Sequence, residues 1–205
     1  MLVELTCGSS DAGRSFPATI VIDCESAMPQ RVVLHRVFVA SPADCAAARR
    51  SVPEVLALWN RLNCRSTSIM LDAVLWETHS WPEMGDRAQA IINRQLVDDC
   101  DILIGIFWTR LGSPTGEFAS GTAEEIARFR DAGKPVLLYF STEPVRPSDV
   151  YQDQFERLQE FRRRMQQEGV VFTYDEGKDL RELILGHITA LLNDRRSSSR
   201  PRRRT

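Results

Sequence analysis

Seven consecutive residues, Ile102-Leu103-Ile104-Gly105-Ile106-Phe107-Trp108, carry no polar side chain until the closing indole. A run this short and this apolar reads as a central strand of a parallel sheet, buried on both faces rather than one. A loop rich in Gly, Ser and Thr follows it, and then Gly121-Thr122-Ala123-Glu124-Glu125-Ile126, a helix opening with two acids. In open α/β sheets the ligand crevice lies outside the carboxyl ends of the strands, which places those acids beside it.

The surrounding chain alternates in the same way. Strands are expected from Val32 to Ala40, Ser68 to Trp76, Val136 to Phe140 and Val170 to Tyr174. Between them lie helical patterns. The first begins at Ser41-Pro42-Ala43-Asp44, with Ser at the N-cap, Pro in the first turn and an acid three residues after the cap. Its apolar face is Val52, Val55, Leu56, Trp59 and Leu62, and Pro53 is expected to kink or divide it near Arg49. Further helices are expected over 86–99, with Ile91, Ile92 and Leu96 inward, from Gly121 to Ala132, stopped by Gly133, and over 149–168 and 179–193. Five strand–helix alternations imply right-handed crossovers and helices on both faces. The expected fold is α/β: a flavodoxin-like three-layer sandwich around a five-stranded, mainly parallel sheet of order 2-1-3-4-5.

At 205 residues the chain has room for one ordinary domain, expected over 32–193. Residues 1–31 show no clear period and form an arm without an assigned role, with one short strand at Thr19–Ile22. The tail 194–205 concentrates Arg195, Arg196, Arg200, Arg202, Arg203 and Arg204, leaving about −8 on the residues before them. Its composition is that of a disordered basic segment. The net charge of −2 gives no reason to expect nucleic-acid binding, the Arg-rich tail being the one segment able to make such a contact. No stretch approaches the roughly 20 apolar residues of a membrane span. The N-terminus lacks the order of a secretory signal. Cys7, Cys24, Cys45, Cys64 and Cys100 form no paired framework, which fits reduced thiols in a cytoplasmic protein.

The segments after each strand bring Ser41, Asp44, Trp76, Trp108, Arg110, Gly121 and Thr122 toward one edge. Hydroxyls, indoles, a cation and carboxylates suit a polar aromatic ligand such as a nucleoside or nucleotide. Helical spacing separates the two acids. Glu125 shares the sheet-facing side with Thr122, Ile126 and Phe129, whereas Glu124 is expected to be exposed and to pair with Arg128 four residues on. Spacing leaves two roles open for Glu125, a reactive carboxylate or an acid that completes a helix N-terminus. Ser41 and Asp44 also have a purely structural role open to them as a helix cap. Trp76 and Trp108 could stack on a base or simply end core strands. No GxxxxGK[ST], GxSxG, HExxH or GxGxxG occurs, and His35, His79 and His187 are isolated, so neither a metal site nor a cofactor is expected.

Three stretches carry a resemblance. They are Val37–Cys45, Ile91–Phe107 and Gly121–Ile126, within about residues 35–193. Together they resemble a bacterial family of TIR-like domains of unknown function, related to TIR domains and to nucleoside 2-deoxyribosyltransferases. The resemblance implies signalling or defence, and it implies cleavage of an N-glycosidic bond in NAD or a related nucleotide, NAD being substrate rather than cofactor. Glu125 falls on the catalytic Glu of those relatives, with Gly121 and Thr122 matching before it, although the preceding acid leaves Glu124 as the other candidate. It equally implies a non-catalytic module that self-associates or meets a TIR-type protein partner, or a nucleoside 2-deoxyribosyltransferase, for which Asp44 is the only acid near the first strand to protonate a base.

Overall fold

The computed structural model describes residues 30–175 and 179–198. The expected strand at Thr19–Ile22, the end of the basic tail, Cys7 and Cys24 lie outside them. The chain divides into two units between Arg31 and Val32, and the architecture below belongs to the second.

Five parallel strands form one sheet in the order β2-β1-β3-β4-β5. They are β1 (Val33–Ala40), β2 (Ile69–Val74), β3 (Ile102–Phe107), β4 (Val136–Ser141) and β5 (Phe172–Tyr174). Every residue of β3 is buried, as its apolar run demands of a strand covered on both faces. Its side chains alternate between two cores. Ile102, Ile104 and Ile106 join Val37, Val39 and Trp59 on one face; Leu103 and Phe107 join Phe38, Phe129, Phe140 and Phe161 on the other. Phe107 stacks on Phe140 with ring centroids 5.1 Å apart.

The helices are α1 (Ala46–Thr67), a single turn α2 (Trp76–His79), α3 (Ala88–Ile92), α4 (Gly121–Asp131), α5 (Gln152–Glu168) and α6 (Leu180–Ser198). The first core lies under α1 and α6, whose Trp59 and Thr189 are joined by an indole N–H to hydroxyl bond of 2.9 Å. The second lies under α4 and α5. This is the three-layer α/β fold expected from the alternation.

Local chemistry departs from the expected boundaries in several places. Ser41 caps nothing: a 3-10 turn, Ala43–Cys45, precedes α1 and has Pro42 at its start without a side-chain cap. Pro53 does not divide α1, which runs through it without a break. Buried Val52, Val55, Leu56 and Trp59 flank that position, so tertiary packing carries the helix across the missing N–H. After Ile92, α3 widens into a π turn, Asn93–Val97, in which the Asp98 N–H reaches the Asn93 carbonyl at 3.0 Å. The last helix runs to Ser198, so the first residues of the basic tail are helical rather than loose. Gly133 adopts φ 64° and closes α4, its N–H donating to the Arg130 carbonyl.

Trp59 is 1% exposed and spans the joint between α1 and α6. Trp59→Ala is expected to lower the unfolding free energy by about 3–5 kcal/mol in a denaturant titration. Thr189→Val, which removes only the hydroxyl partner, is expected to cost about 1 kcal/mol.

Candidate functional site

A cavity of about 700 Å³ opens at the carboxyl ends of β1 and β3, against the N-terminus of α4. Its wall includes Ser41, Trp76, Arg110, Gly121, Thr122 and Glu125. Those six residues, from four separate segments, therefore converge as the topology requires of a strand-end crevice.

Asp44 and Trp108 do not line it. They border a second cavity of about 500 Å³ beside Tyr174 and Ser141. The reason for Asp44 is local: its Oδ2 accepts from Thr109 N at 2.9 Å, Thr109 Oγ1 at 2.9 Å and Arg110 N at 3.1 Å. It fastens the chain leaving β3 to the chain leaving β1. Trp108 turns away because its indole N–H donates to the Glu143 carbonyl at 3.1 Å. Ser41 lines the cavity while its Oγ accepts from Arg49 Nη1 at 2.6 Å. Arg49 is buried on α1, also donates to the Ser41 and Pro42 carbonyls, and pairs with Glu77. It holds the β1–α1 turn that forms one cavity wall.

The two adjacent acids occupy different environments, both internal. Glu124 is 1% exposed, not a surface partner of Arg128. Asn93 Nδ2 donates to its Oε1 at 2.8 Å, Thr115 Oγ1 to its Oε2 at 2.7 Å, and Arg87 lies 3.5 Å away. Arg128 turns instead to Asp98 at 3.1 Å. The first turn of α4 is packed against the π turn after α3, which covers the side that simple amphipathic spacing leaves to solvent. The widened π turn puts Asn93 at that contact, a common use of such turns.

Glu125 is 8% exposed and, among the described residues, accepts one hydrogen bond, from Gln89 Nε2 to Oε1 at 2.9 Å. Its second oxygen takes none from the described residues, and the residue lines the cavity. Desolvation pushes its pKa up to about 8, with the neighbouring Glu124 charge adding to the rise, while the Gln89 donor and the Arg49 charge oppose it. With that value the carboxyl is mainly protonated near neutral pH. A carboxyl with a displaced pKa in a crevice is a recurrent sign of a reactive group.

Arg110 supplies the uncommitted cation. Its guanidinium lies 4.2 Å over the Tyr151 ring, its Nε is buried without a hydrogen-bond partner, and no carboxylate pairs with it among the described residues. Gly112 takes φ 105°, with its N–H on Gln154 Oε1 at 3.1 Å, which fixes the loop carrying Arg110. No described cysteine lines this cavity. Cys45, Cys64 and Cys100 form no disulfide, and burial raises the Cys45 thiol pKa and pushes that of Cys100 up to about 12.

Reading the sequence alone misses Arg49, Gln89, Asn93, Thr115 and Tyr151. Only Gln89 and Asn93 carried a signal: two amides four residues apart on a helix whose other inward residues are apolar.

The chain belongs to the family described as Domain of unknown function (DUF4062), which matches residues 36–188. No curated protein sequence matches it. Among solved structures it is similar to translation elongation factor SelB from Methanococcus maripaludis in its apo form, with 13% identity and a TM-score of 0.44 over 80% of this chain. The match spans 34% of that protein's length. It is also similar to a conserved protein from Enterococcus faecalis V583, with 15% identity and a TM-score of 0.39, over 78% of this chain and 99% of the other. Among the described residues no helix is long and apolar enough to cross a membrane.

The Glu125 carboxyl makes stability depend on pH. Its folded pKa of about 8 lies above its ordinary 4.5, so the folded state holds an extra proton between those values and loses stability as pH rises through them. Glu125→Gln keeps an oxygen for the Gln89 donor and removes the ionisation. Its melting temperature is expected to match wild type near pH 5 and to exceed it at pH 8, with a gain of about 2–4 kcal/mol. Parallel melting curves across that range check it.

Proposed function

We propose that this domain cleaves the N-glycosidic bond of NAD or a related nucleotide, with Glu125 as the reacting carboxylate, in signalling or defence. The observation that carries the proposal is the Glu125 carboxyl itself, buried at the wall of a nucleotide-sized cavity with one oxygen unbonded. The TIR-like character of Val37–Cys45, Ile91–Phe107 and Gly121–Ile126 supports the same reading.

The chemistry suits this site. Heterolysis sends the C1′–N electron pair onto the pyridinium nitrogen, so nicotinamide departs neutral and needs no general acid. The sugar is left as an oxocarbenium ion, which the ionised carboxylate stabilises or captures at C1′. Water then adds to C1′, giving ADP-ribose, nicotinamide and one proton. A cationic nicotinamide riboside entering the cavity favours the ionised form of Glu125, reversing the effect of desolvation. Trp76 offers a face for a ring at the cavity mouth, and Arg110 a charge for a phosphate.

Nucleoside 2-deoxyribosyl transfer is the weaker reading for a specific reason. Release of an ordinary base needs a proton donor, and Asp44 does not line the cavity and has its Oδ2 committed to three donors. A non-catalytic interaction module remains the other class, and turnover separates the two.

NAD incubated with concentrated protein is expected to release nicotinamide, followed by chromatography. Glu125→Gln is expected to reduce the rate at least about a hundredfold, and Glu124→Gln to reduce it less, in step with its loss of stability. The wild-type kcat/KM is expected to rise with pH and level off above about 8, the free-site pKa of Glu125. Absence of nicotinamide release under conditions that promote self-association overturns the enzymatic reading in favour of the interaction module.

A further inference from the structure

Gly121 opens α4 with an ordinary backbone conformation, so no turn geometry demands a glycine there. Space does. A Cβ built on Gly121 would sit 2.3 Å from Gln89 Oε1 and 3.1 Å from Gln89 Cδ, and the three nearest atoms it would meet all belong to Gln89. The Gln89 amide occupies the space a side chain at position 121 would fill. From there Nε2 donates both to Glu125 Oε1 at 2.9 Å and to Asn93 Oδ1 at 3.1 Å. Asn93 in turn donates to Glu124 Oε1 at 2.8 Å. Two amides in series, Gln89 and Asn93, therefore link the two acids, and among the described residues Gln89 is the sole hydrogen-bond donor to Glu125.

We propose that Gln89 is the positioning residue of the Glu125 carboxyl, and that Gly121 is glycine to leave room for Gln89 rather than for a ligand. With Oε1 tied to Gln89, Oε2 is the oxygen presented to the cavity. The inference rests on the reading of Glu125 as the reacting group, and it gives that group its orientation. Other charges near Glu125 are few: Glu124 beside it on α4, Arg87 on the approach to α3, which pairs with Glu124, and Arg49 on α1. Gln89 carries no charge, and among the described residues it is the group hydrogen-bonded to the Glu125 carboxyl.

The clash at Gly121 is with the far end of a flexible side chain. Gly121→Ala is therefore expected to fold, with Gln89 swung aside, and to behave like Gln89→Ala. The test is a pH titration of the Glu125 carboxyl in the ligand-free protein, read by infrared difference spectroscopy against Glu125→Gln. Losing the sole donor to a carboxylate is expected to move the titration upward by about one pH unit in Gln89→Ala. Gly121→Ala is expected to produce the same shift. In the double variant, Gly121→Ala adds nothing, because the atoms it would strike are gone.

A shift in Gly121→Ala that persists in the Gln89→Ala background overturns the clearance role, and an unmoved titration in Gln89→Ala overturns the positioning role. Thermal melts of all three variants confirm that the comparison is between folded proteins. The titration needs no substrate, so its failure is distinct from an absence of nicotinamide release, which bears on the function instead. Where turnover is observed, the pH profile of kcat/KM is expected to move with the titration.

Discussion

Two consecutive carboxyls, Glu124 and Glu125, are buried at the first turn of one helix, and the site is organised around the cost of that burial. Desolvating a carboxylate costs far more than desolvating an amide or hydroxyl, and only donors or a retained proton offset it. The chain resolves the two cases differently. Glu124 receives Asn93, Thr115 and Arg87. Among the described residues Glu125 receives Gln89 alone, and burial pushes its pKa up to about 8. The asymmetry, rather than the presence of two acids, separates a supporting carboxyl from one available for chemistry.

Around that pair, polar side-chain contacts tie down the segments that form the cavity walls and the loop after β2. Asp44 ties the chain after β1 to Thr109 and Arg110 after β3. Arg49 gathers Ser41, Pro42 and Glu77, closing the turn between β1 and α1. Gln95 binds the 80–83 loop through the Trp81 backbone and Glu83, whose carboxyl it holds below the usual range. Loops at strand ends are ordinarily the mobile part of an α/β domain. Anchoring these by buried side chains gives the crevice a defined shape without a ligand, which lowers the ordering cost of binding.

The layers and strand order were legible because they depend on period and burial, both written locally. The unbroken apolar run of β3 could only be a strand covered twice, and Gly133 could only end α4. What stayed hidden depends on contacts between segments. Glu124 and Arg128 have the spacing of a surface pair, but the π turn after α3 covers Glu124 and gives it Asn93. Asp44 sits where a capping acid should, yet its partners lie 65 and 66 residues away. Pro53 obeys its propensity in an isolated helix and loses to the packing of Val52, Val55 and Trp59. Six of the eight residues expected at the crevice do reach the cavity wall, because the topology alone delivers strand ends there. The amides and buried Arg that orient them are invisible to spacing.

Leaving Glu125 with a single donor has a physical consequence beyond geometry. A carboxyl satisfied by several donors is already at its electrostatic minimum and has little to gain from a cation. One that keeps its proton for want of partners gains most when positive charge enters the same low-dielectric space. Replacing the proton by a cationic centre then exchanges one compensating charge for another without exposing the carboxylate to water. Preorganised stabilisation of charge that develops during reaction is the form of catalysis such a site can provide. More donors on Glu125 would make the fold more stable and the carboxylate less responsive. Within this family of unknown function, the features to compare are therefore the residue that donates to the second acid and the space left for it at the start of the helix.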